Sequence, residues 1–140
     1  MIEQARRVVK LSTWAWTSGM RDTSGNTYLG PVAPLTGQGR SRWVEGEEIV
    51  IVSEVDASSR LPDLTHAGTL GCLRRIVKEA HNAFDIHIRV AIAPRMEGPR
   101  AHWRTVDRNG RLLNSGSFGV PEGGDEIICG LVAALETAEW

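Results

Sequence analysis

The clearest pattern in the chain is an apolar stripe at helical spacing near its middle. The positions that form it are three and four residues apart: Leu70, Leu73, Val77 and Ala80. Since such positions share one face of an α-helix, a helix is predicted over residues 65–81. Asp63 or Thr65 is expected to cap its N-terminus, because both side chains accept hydrogen bonds from free backbone N–H groups.

After this helix the apolar period changes from helical to strand-like. Between residues 86 and 92 every second residue is apolar, which is typical of a half-buried strand. Residues 101–106 and 111–118 are predicted to pair as a hairpin across Asn109-Gly110. Asn-Gly is the strongest short hairpin signal, because both central residues of the preferred turn take a positive φ.

A second helix is predicted at the C-terminal end, on the apolar positions Ile127, Ile128, Leu131, Val132 and Leu135. Asp125 and Glu126 fall in its first turn, where negative charge complements the helix dipole. The order α-β-β-β-α predicts an α+β sandwich, with two helices on a small antiparallel sheet. The predicted core comprises Leu70, Leu73, Val77, Ile86, Ile88, Val90, Trp103, Leu131, Val132 and Leu135.

The first 55 residues or so are predicted to be β-rich. Val8, Val9 and Leu11 are strand-forming residues, and Trp14 and Trp16 lie two apart, hence on one face of an extended strand. Further short strands are expected at residues 27–29, 41–44 and 49–55. We therefore divide the chain into a β-rich N-terminal region, residues 1–60, and the sandwich, residues 61–140, within one compact unit.

Composition narrows the range of functions. The chain has 140 residues, of which 41% are hydrophobic, enough to bury a core. Its net charge of -1 argues against general binding of DNA or RNA, which normally needs a basic protein. No apolar run approaches the roughly 20 residues that span a membrane, and the N-terminus lacks the apolar stretch of a signal peptide. We therefore expect a cytoplasmic protein.

Catalytic and metal-binding motifs are missing from the sequence. The nucleophile elbow, the Walker loop and the zinc-protease helix are all absent. Cys72 and Cys129 each fall inside a predicted helix, which favours buried free thiols, and the scattered histidines give no zinc spacing. We predict no catalytic residue, metal or cofactor, and a nucleotide hydrolase is the less favoured alternative.

One stretch combines glycines, arginines and a tryptophan, over residues 36–43. Glycines let backbone N–H groups approach an anion, arginines hold phosphate through bidentate bonds, and tryptophan stacks on a base. Neighbouring residues complete the predicted ligand-binding set: Trp14, Trp16, Arg21, Gly37, Gly39, Arg40, Arg42 and Trp43. The alternative is a flexible loop followed by an edge strand whose arginines face water.

A second basic group lies on the predicted sheet. Its members are Arg89, Arg100, His102 and Arg104. His102 and Arg104 share one face of their strand, whereas Trp103 points to the other face, towards the helices. The predicted arrangement is a cationic sheet face, which serves either as an interface or as a solvated surface.

Three segments resemble parts of small proteins of tailed bacteriophages and prophages. They are residues 61–73, with the sequence LPDLTHAGTLGCL, residues 131–136, with LVAALE, and the turn Gly19-Met20-Arg21-Asp22. The resemblance implies a phage origin, and therefore residence in the host cytoplasm. It implies no reaction.

Two classes of function remain open at this point. The first is a non-enzymatic phage protein that sequesters a phosphorylated nucleotide signal of host antiviral defence. The second is a protein–protein inhibitor of a host defence complex, similar to an anti-CRISPR, or an accessory structural protein of the phage. A homo-oligomer is also predicted, because association would bury the strand edges and the apolar surface of an incompletely covered sheet face.

Overall fold

The structure is a computed structural model that describes residues 2–32, 39–91, 100–121 and 123–138. Along the chain it contains α1 (Ile2–Val8), β1 (Thr27–Val32), β2 (Arg40–Glu45), β3 (Glu48–Ser53), α2 (Glu54–Ser58), α3 (Ala67–Ala80), β4 (Asp85–Ala91), β5 (Arg100–Val106), β6 (Leu112–Phe118) and α4 (Glu126–Ala138). The strands form two antiparallel three-stranded sheets, β1-β2-β3 and β4-β5-β6. The predicted α+β class is confirmed, including the order α-β-β-β-α from α3 to α4.

The chain divides into two compact units. The first-sheet unit comprises Ala15–Cys72, and the second-sheet unit comprises Glu3–Trp14 and Leu73–Trp140. The division at residue 60 that we drew from the sequence stays a prediction. The two units are described separately below.

The first-sheet unit is built on a tight hairpin and an aromatic cluster. Strands β2 and β3 pair from Glu45 opposite Glu48 and are joined by two residues, the first of which, Gly46, has φ +64. A two-residue loop with glycine first is the type II′ turn, whose twist matches that of paired strands. On one face of this sheet Trp43 and Tyr28 pack edge to face, with ring centroids 5.3 Å apart.

Three details of the predicted first half are wrong. Trp14 and Trp16 do not lie in a strand, since the first strand begins at Thr27. Val8 ends helix α1 instead of lying in a strand. Three residues are too few to establish a period of two, whereas Glu3 in the first turn and Arg7 in the last turn suit a helix dipole. The strand predicted to reach Val55 ends at Ser53, whose hydroxyl accepts from Asp56 N–H and caps α2.

The cap of helix α3 also differs from the prediction. Its free backbone N–H at Thr69 donates to Nδ1 of His66 at 3.2 Å, so His66 is the capping residue. Asp63 instead accepts from the backbone N–H and the hydroxyl of Thr65, one turn earlier. At most helix N-termini the side-chain acceptor of this hydrogen bond is a carboxylate, amide or hydroxyl oxygen, whereas in α3 it is a histidine ring nitrogen.

In the second-sheet unit, helix α4 packs against all three strands. Most of the predicted core is confirmed as fully buried, namely Leu73, Val77, Ile86, Trp103, Leu131, Val132 and Leu135. The other three predicted core residues, Leu70, Ile88 and Val90, are half-buried. The indole of Trp103 packs against the ring of His81, with centroids 5.1 Å apart.

The hairpin between β5 and β6 forms at the predicted place with a different turn. Gly110 has φ +79, but Asn109 does not have a positive φ. The turn is closed by Gly110 N–H donating to the Asp107 carbonyl at 3.0 Å. The Asp107 carboxylate also accepts from the N–H groups of Asn109 and Arg111, both at 2.9 Å. Asp107 therefore fixes this turn, and the register shifts by one residue beside it, at Val106.

The close approach of α4 to the sheet gives a test of the fold. A Cβ at Gly130 would lie 2.9 Å from Cζ of Phe118 and would also overlap Ile88. We expect Gly130→Ala to lower the free energy of unfolding by about 1–3 kcal/mol through overpacking. Urea unfolding followed by circular dichroism measures the change.

A matched control is the helical glycine of α3. A Cβ at Gly71 would meet nothing within 4 Å. Gly71→Ala should therefore stabilise the protein by up to about 1 kcal/mol, the ordinary gain of alanine over glycine in a helix. Equal effects of the two substitutions would contradict the packing described for α4.

Candidate anion-binding groove

The face of the second sheet that α4 does not cover carries a cluster of basic side chains. The strand register places Arg89 opposite His102 and His87 opposite Arg104. Because directly paired residues point to the same side of a sheet, these four side chains share one face. Trp103, between His102 and Arg104, points to the opposite face and is buried there.

A cavity of about 520 Å³ opens along this face. Its lining combines two arginines, a histidine, two serines and two apolar side chains: Arg89, His102, Arg104, Ser115, Ser117, Val106 and Leu112. The serines belong to β6, where Ser115 lies opposite Arg104 and Ser117 opposite His102. We call this cavity the cationic groove.

The positive charge of the groove has no carboxylate partner among the described residues. Asp85, on the same face, is engaged by Arg74 at 3.0 Å and lies 3.4 Å from Nε2 of His87. Neither Arg89 nor Arg104 forms an ion pair with a described residue, and Nε of Arg104 is buried without a hydrogen-bond partner there. Buried polar groups are normally hydrogen-bonded, so Nε of Arg104 is an exception among the described residues.

Asp85 keeps its negative charge in this setting. Burial raises the pKa of its carboxyl group, but the hydrogen bonds from Ile86 N–H and Arg74 together with the nearby positive charges outweigh that effect. The pKa of Asp85 is therefore below its ordinary value. Asp85 thus remains an acceptor for Arg74 and pairs with neither Arg89 nor Arg104 among the described residues.

The structure does not bring the first predicted set together. Arg40 and Arg42 alternate with Ser41 and Trp43 along β2, so the arginines and the tryptophan lie on opposite faces. Trp43 has an exposed fraction of 0%, and its indole N–H donates to Ser41 Oγ at 2.8 Å. A base could not stack on Trp43 without opening the aromatic cluster of the first-sheet unit.

The rest of that set is dispersed. Arg42 borders a separate cavity of about 380 Å³ with apolar walls that include Leu29 and Ile49. The backbone N–H of Arg21 donates to Thr69 Oγ1 at 2.8 Å. Trp16 packs on Trp43, with ring centroids 4.7 Å apart.

Three members of the set remain. Trp14 falls in the second-sheet unit, and Gly37 lies outside the described residues. Gly39 is described, and an added Cβ there would lie 3.0 Å from a carboxylate oxygen of Glu54. This acidic neighbour opposes anion binding at Gly39.

The second predicted set is the one that the fold assembles. Arg89, His102 and Arg104 line the cationic groove together, whereas only the backbone of Arg100 is described. Ser115 and Ser117 were not among the site residues predicted from the sequence. Their alternation on β6 opposite His102 and Arg104 was the signal that could have identified them.

The two cysteines, Cys72 and Cys129, are not among the residues that line the cationic groove. Cys129 is buried, and burial raises the pKa of its thiol, which keeps the sulfur protonated and weakly nucleophilic. Cys72 is half-buried. Within the described ranges, no group of three or more histidine, cysteine or acidic residues could hold a metal ion.

Comparisons with known proteins were made at the level of families, curated proteins and structures. No protein-family model, curated protein or solved structure matches the chain. No helix in the described part of the chain has the length and apolar character needed to cross a membrane.

The pairing of Asp85 with Arg74 predicts a pH effect. In Arg74→Gln the carboxyl group loses a cationic partner, so its pKa should rise towards the ordinary value of 3.8. A lowered pKa contributes stability that is present above the unfolded-state pKa and is lost as pH falls through the folded-state pKa. The variant should therefore begin acid unfolding at a higher pH than the wild type.

An NMR titration of the Asp85 carboxyl group and unfolding curves at several pH values measure both effects. Arg75→Gln is the matched control, since Arg75 is the next residue of α3 and is exposed. An unchanged Asp85 titration in Arg74→Gln would show that the ion pair does not determine this pKa.

Proposed function

We propose that this protein binds a phosphorylated small molecule, most suitably a nucleotide, in the cationic groove without cleaving it. The observation that carries the proposal is the convergence of Arg89 and Arg104 on one cavity with no described carboxylate to neutralise them. A guanidinium binds phosphate through two parallel charge-assisted hydrogen bonds. The hydroxyls of Ser115 and Ser117 are further donors on the same wall.

The size and polarity of the groove support a compact ligand. Its volume of about 520 Å³ lies within the range of roughly 300–1,000 Å³ that is typical of small-molecule sites. Val106 and Leu112 add an apolar end that suits a base or a sugar edge. Among the residues that the structure describes, no phenylalanine, tyrosine or tryptophan lines the cavity, so it lacks the large stacking platform of single-strand binders. The net charge of -1 likewise disfavours a nucleic-acid polymer.

The biological role that we propose is sequestration. A protein that holds a phosphorylated nucleotide without catalysis lowers its free concentration and interrupts any signal that the nucleotide carries. The resemblance of residues 61–73 to phage proteins suggests that the signal belongs to host antiviral defence and that binding occurs in the host cytoplasm. We also propose a homo-oligomer, which is independent of nucleotide binding.

A second function is favoured by a different observation. The first sheet exposes large apolar side chains, notably Ile49 with 68% and Ile51 with 59% of their surface accessible. Exposed apolar patches commonly mark protein–protein contacts. An inhibitor of a host protein complex is therefore the alternative, and it would act through the first sheet.

The cationic groove is tested by Arg89→Ala, which removes an exposed guanidinium from its wall. Loss of a charge-assisted contact worth about 1.5–3 kcal/mol should weaken nucleotide binding roughly 10- to 100-fold. Calorimetric titration with inorganic phosphate and with linear and cyclic nucleotides measures the affinity. The thermal stability of the variant should stay close to that of the wild type, because Arg89 packs in no core.

Two control variants separate the alternatives. Arg111→Ala removes an exposed arginine of the same hairpin outside the groove lining and should bind as the wild type does. Arg42→Ala tests the arginines of β2, and a selective loss there would move the site to the first sheet. A wild type that binds no nucleotide would overturn the proposal and favour the inhibitor. Conversion of the nucleotide during titration would indicate a hydrolase.

A further inference from the structure

Strand β3 is an unprotected edge of the first sheet. It pairs with β2 on one side, and the sheet order β1-β2-β3 leaves its other side without a strand neighbour in the described parts of the chain. Its sequence, EIVIVS, contains four consecutive β-branched residues and no lysine, proline or glycine. Such a strand is a template for pairing with another chain.

The opposite edge of the same sheet is protected. Strand β1 contains Pro31, which has no backbone N–H, and its register shifts between Tyr28 and Gly30. Proline and irregular register are the usual means by which proteins prevent pairing at an edge. Their presence on β1 and absence from β3 leaves β3 as the unprotected edge of this sheet.

The backbone of β3 presents a regular set of free hydrogen-bonding groups. In a hairpin with a two-residue loop, the two residues that flank the loop donate their backbone N–H groups to each other's C=O groups. In this hairpin the two residues are Glu45 and Glu48. Alternation then directs the N–H and C=O groups of Val50 towards β2 and those of Ile49 and Ile51 away from it. Two antiparallel copies of this edge are therefore complementary.

We propose that the protein forms a dimer in which β3 pairs antiparallel with the same strand of a second copy, centred on Val50. In this register Ile49 lies opposite the partner's Ile51, and by symmetry Ile51 lies opposite the partner's Ile49. Within each of these pairs the two residues form both backbone N–H···O=C hydrogen bonds with each other. The isoleucines of both copies then form one continuous apolar stripe on a six-stranded sheet. Their exposed fractions of 68% and 59% in the single chain decrease on pairing.

Charge complementarity supports this register. Ser53 is paired with the exposed Arg40 on one side, and the register brings the partner's Glu47, which belongs to the turn just before β3, towards the other side of Ser53. Adjacent strands are about 4.8 Å apart, so these two long side chains can meet across the short serine. The symmetry of the dimer produces the contact twice.

A register shifted by one pair is less favourable. Centring on Ile51 instead of Val50 would place Glu48 opposite the partner's Glu54. These are like charges, and like charges directly opposite each other destabilise a sheet. In addition, Glu54 begins helix α2, so its backbone turns away from the strand direction.

The first test is the mass of the particle, by size-exclusion chromatography with light scattering at micromolar concentration. The wild type should have twice the 15.3 kDa of one chain. Ile51→Lys places a charge on the edge and should halve the mass. Val55→Lys is the control, since Val55 is 78% exposed but lies on α2 beyond the strand, and it should remain a dimer.

The second test fixes the register. In the proposed dimer Val50 faces the partner's Val50 across a non-hydrogen-bonded position with Cα atoms about 4.5 Å apart, within reach of a disulfide. Mild oxidation of Val50→Cys should therefore yield a peptide, identified by mass spectrometry, that joins two copies of residue 50. Ile51→Cys should not link to itself.

A wild type of 15.3 kDa, or a dimer that survives Ile51→Lys, would overturn the proposal. Linkage at residue 51 in place of residue 50 would overturn the register. The dimer does not depend on the cationic groove, so nucleotide titration of Ile51→Lys distinguishes the two proposals. That variant should bind as the wild type does, and a failure of either proposal leaves the other intact.

Discussion

The contact between helix α4 and the second sheet determines which face of that sheet is available to a ligand. Gly130 brings the helix close enough to touch Ile88 and Phe118, and no larger residue fits there without displacing them. With one face closed by α4, strand alternation assigns every second residue of β4 and β5 to the other face. The cationic groove is therefore a consequence of helix packing on the far side of the sheet.

The same alternation explains why neighbouring arginines and tryptophans do not form one site. In both sheets the tryptophan takes an inward position, Trp43 in β2 and Trp103 in β5, and the basic residues beside it point outward. The indole ring makes the larger contribution to the core, because burying an aromatic side chain removes more apolar surface from water than any other choice. Residues adjacent in a strand are thus kept apart by the thickness of the sheet.

The sequence predicted most of the second half because its periods are long and regular. The stripe on α3, the alternation in β4 and the apolar face of α4 each extend over several repeats, so each identifies its element. Helices α1 and α2 were missed since they span only seven and five residues, too few to show a period. Capping by His66 was missed for another reason: its ring nitrogen accepts a hydrogen bond only in one tautomer, which the sequence does not specify.

The candidate site was partly predictable on the same grounds. Placing His102 and Arg104 on one face needed only the period of two, and the hairpin at Asn109-Gly110 could have added the serines of β6. The stretch of residues 36–43 was a candidate site on its composition alone. Composition does not say which side of β2 each residue occupies, nor that Glu54 lies beside Gly39.

The basic side chains of the cationic groove do not favour the stability of the second sheet, whereas the packing of α4 on its other face does. Cross-strand pairs of Arg89 with His102 and of Arg104 with His87 contribute less to sheet stability than pairs of opposite charge would. A nearby carboxylate, Asp85, is available on the same face, yet it is held by Arg74 from helix α3. Where local interactions disagree with stability in this way, the usual cause is a function that needs them. An anion between the two arginines would remove the conflict, because it supplies the negative charge that Asp85, held by Arg74, does not give to Arg89 and Arg104.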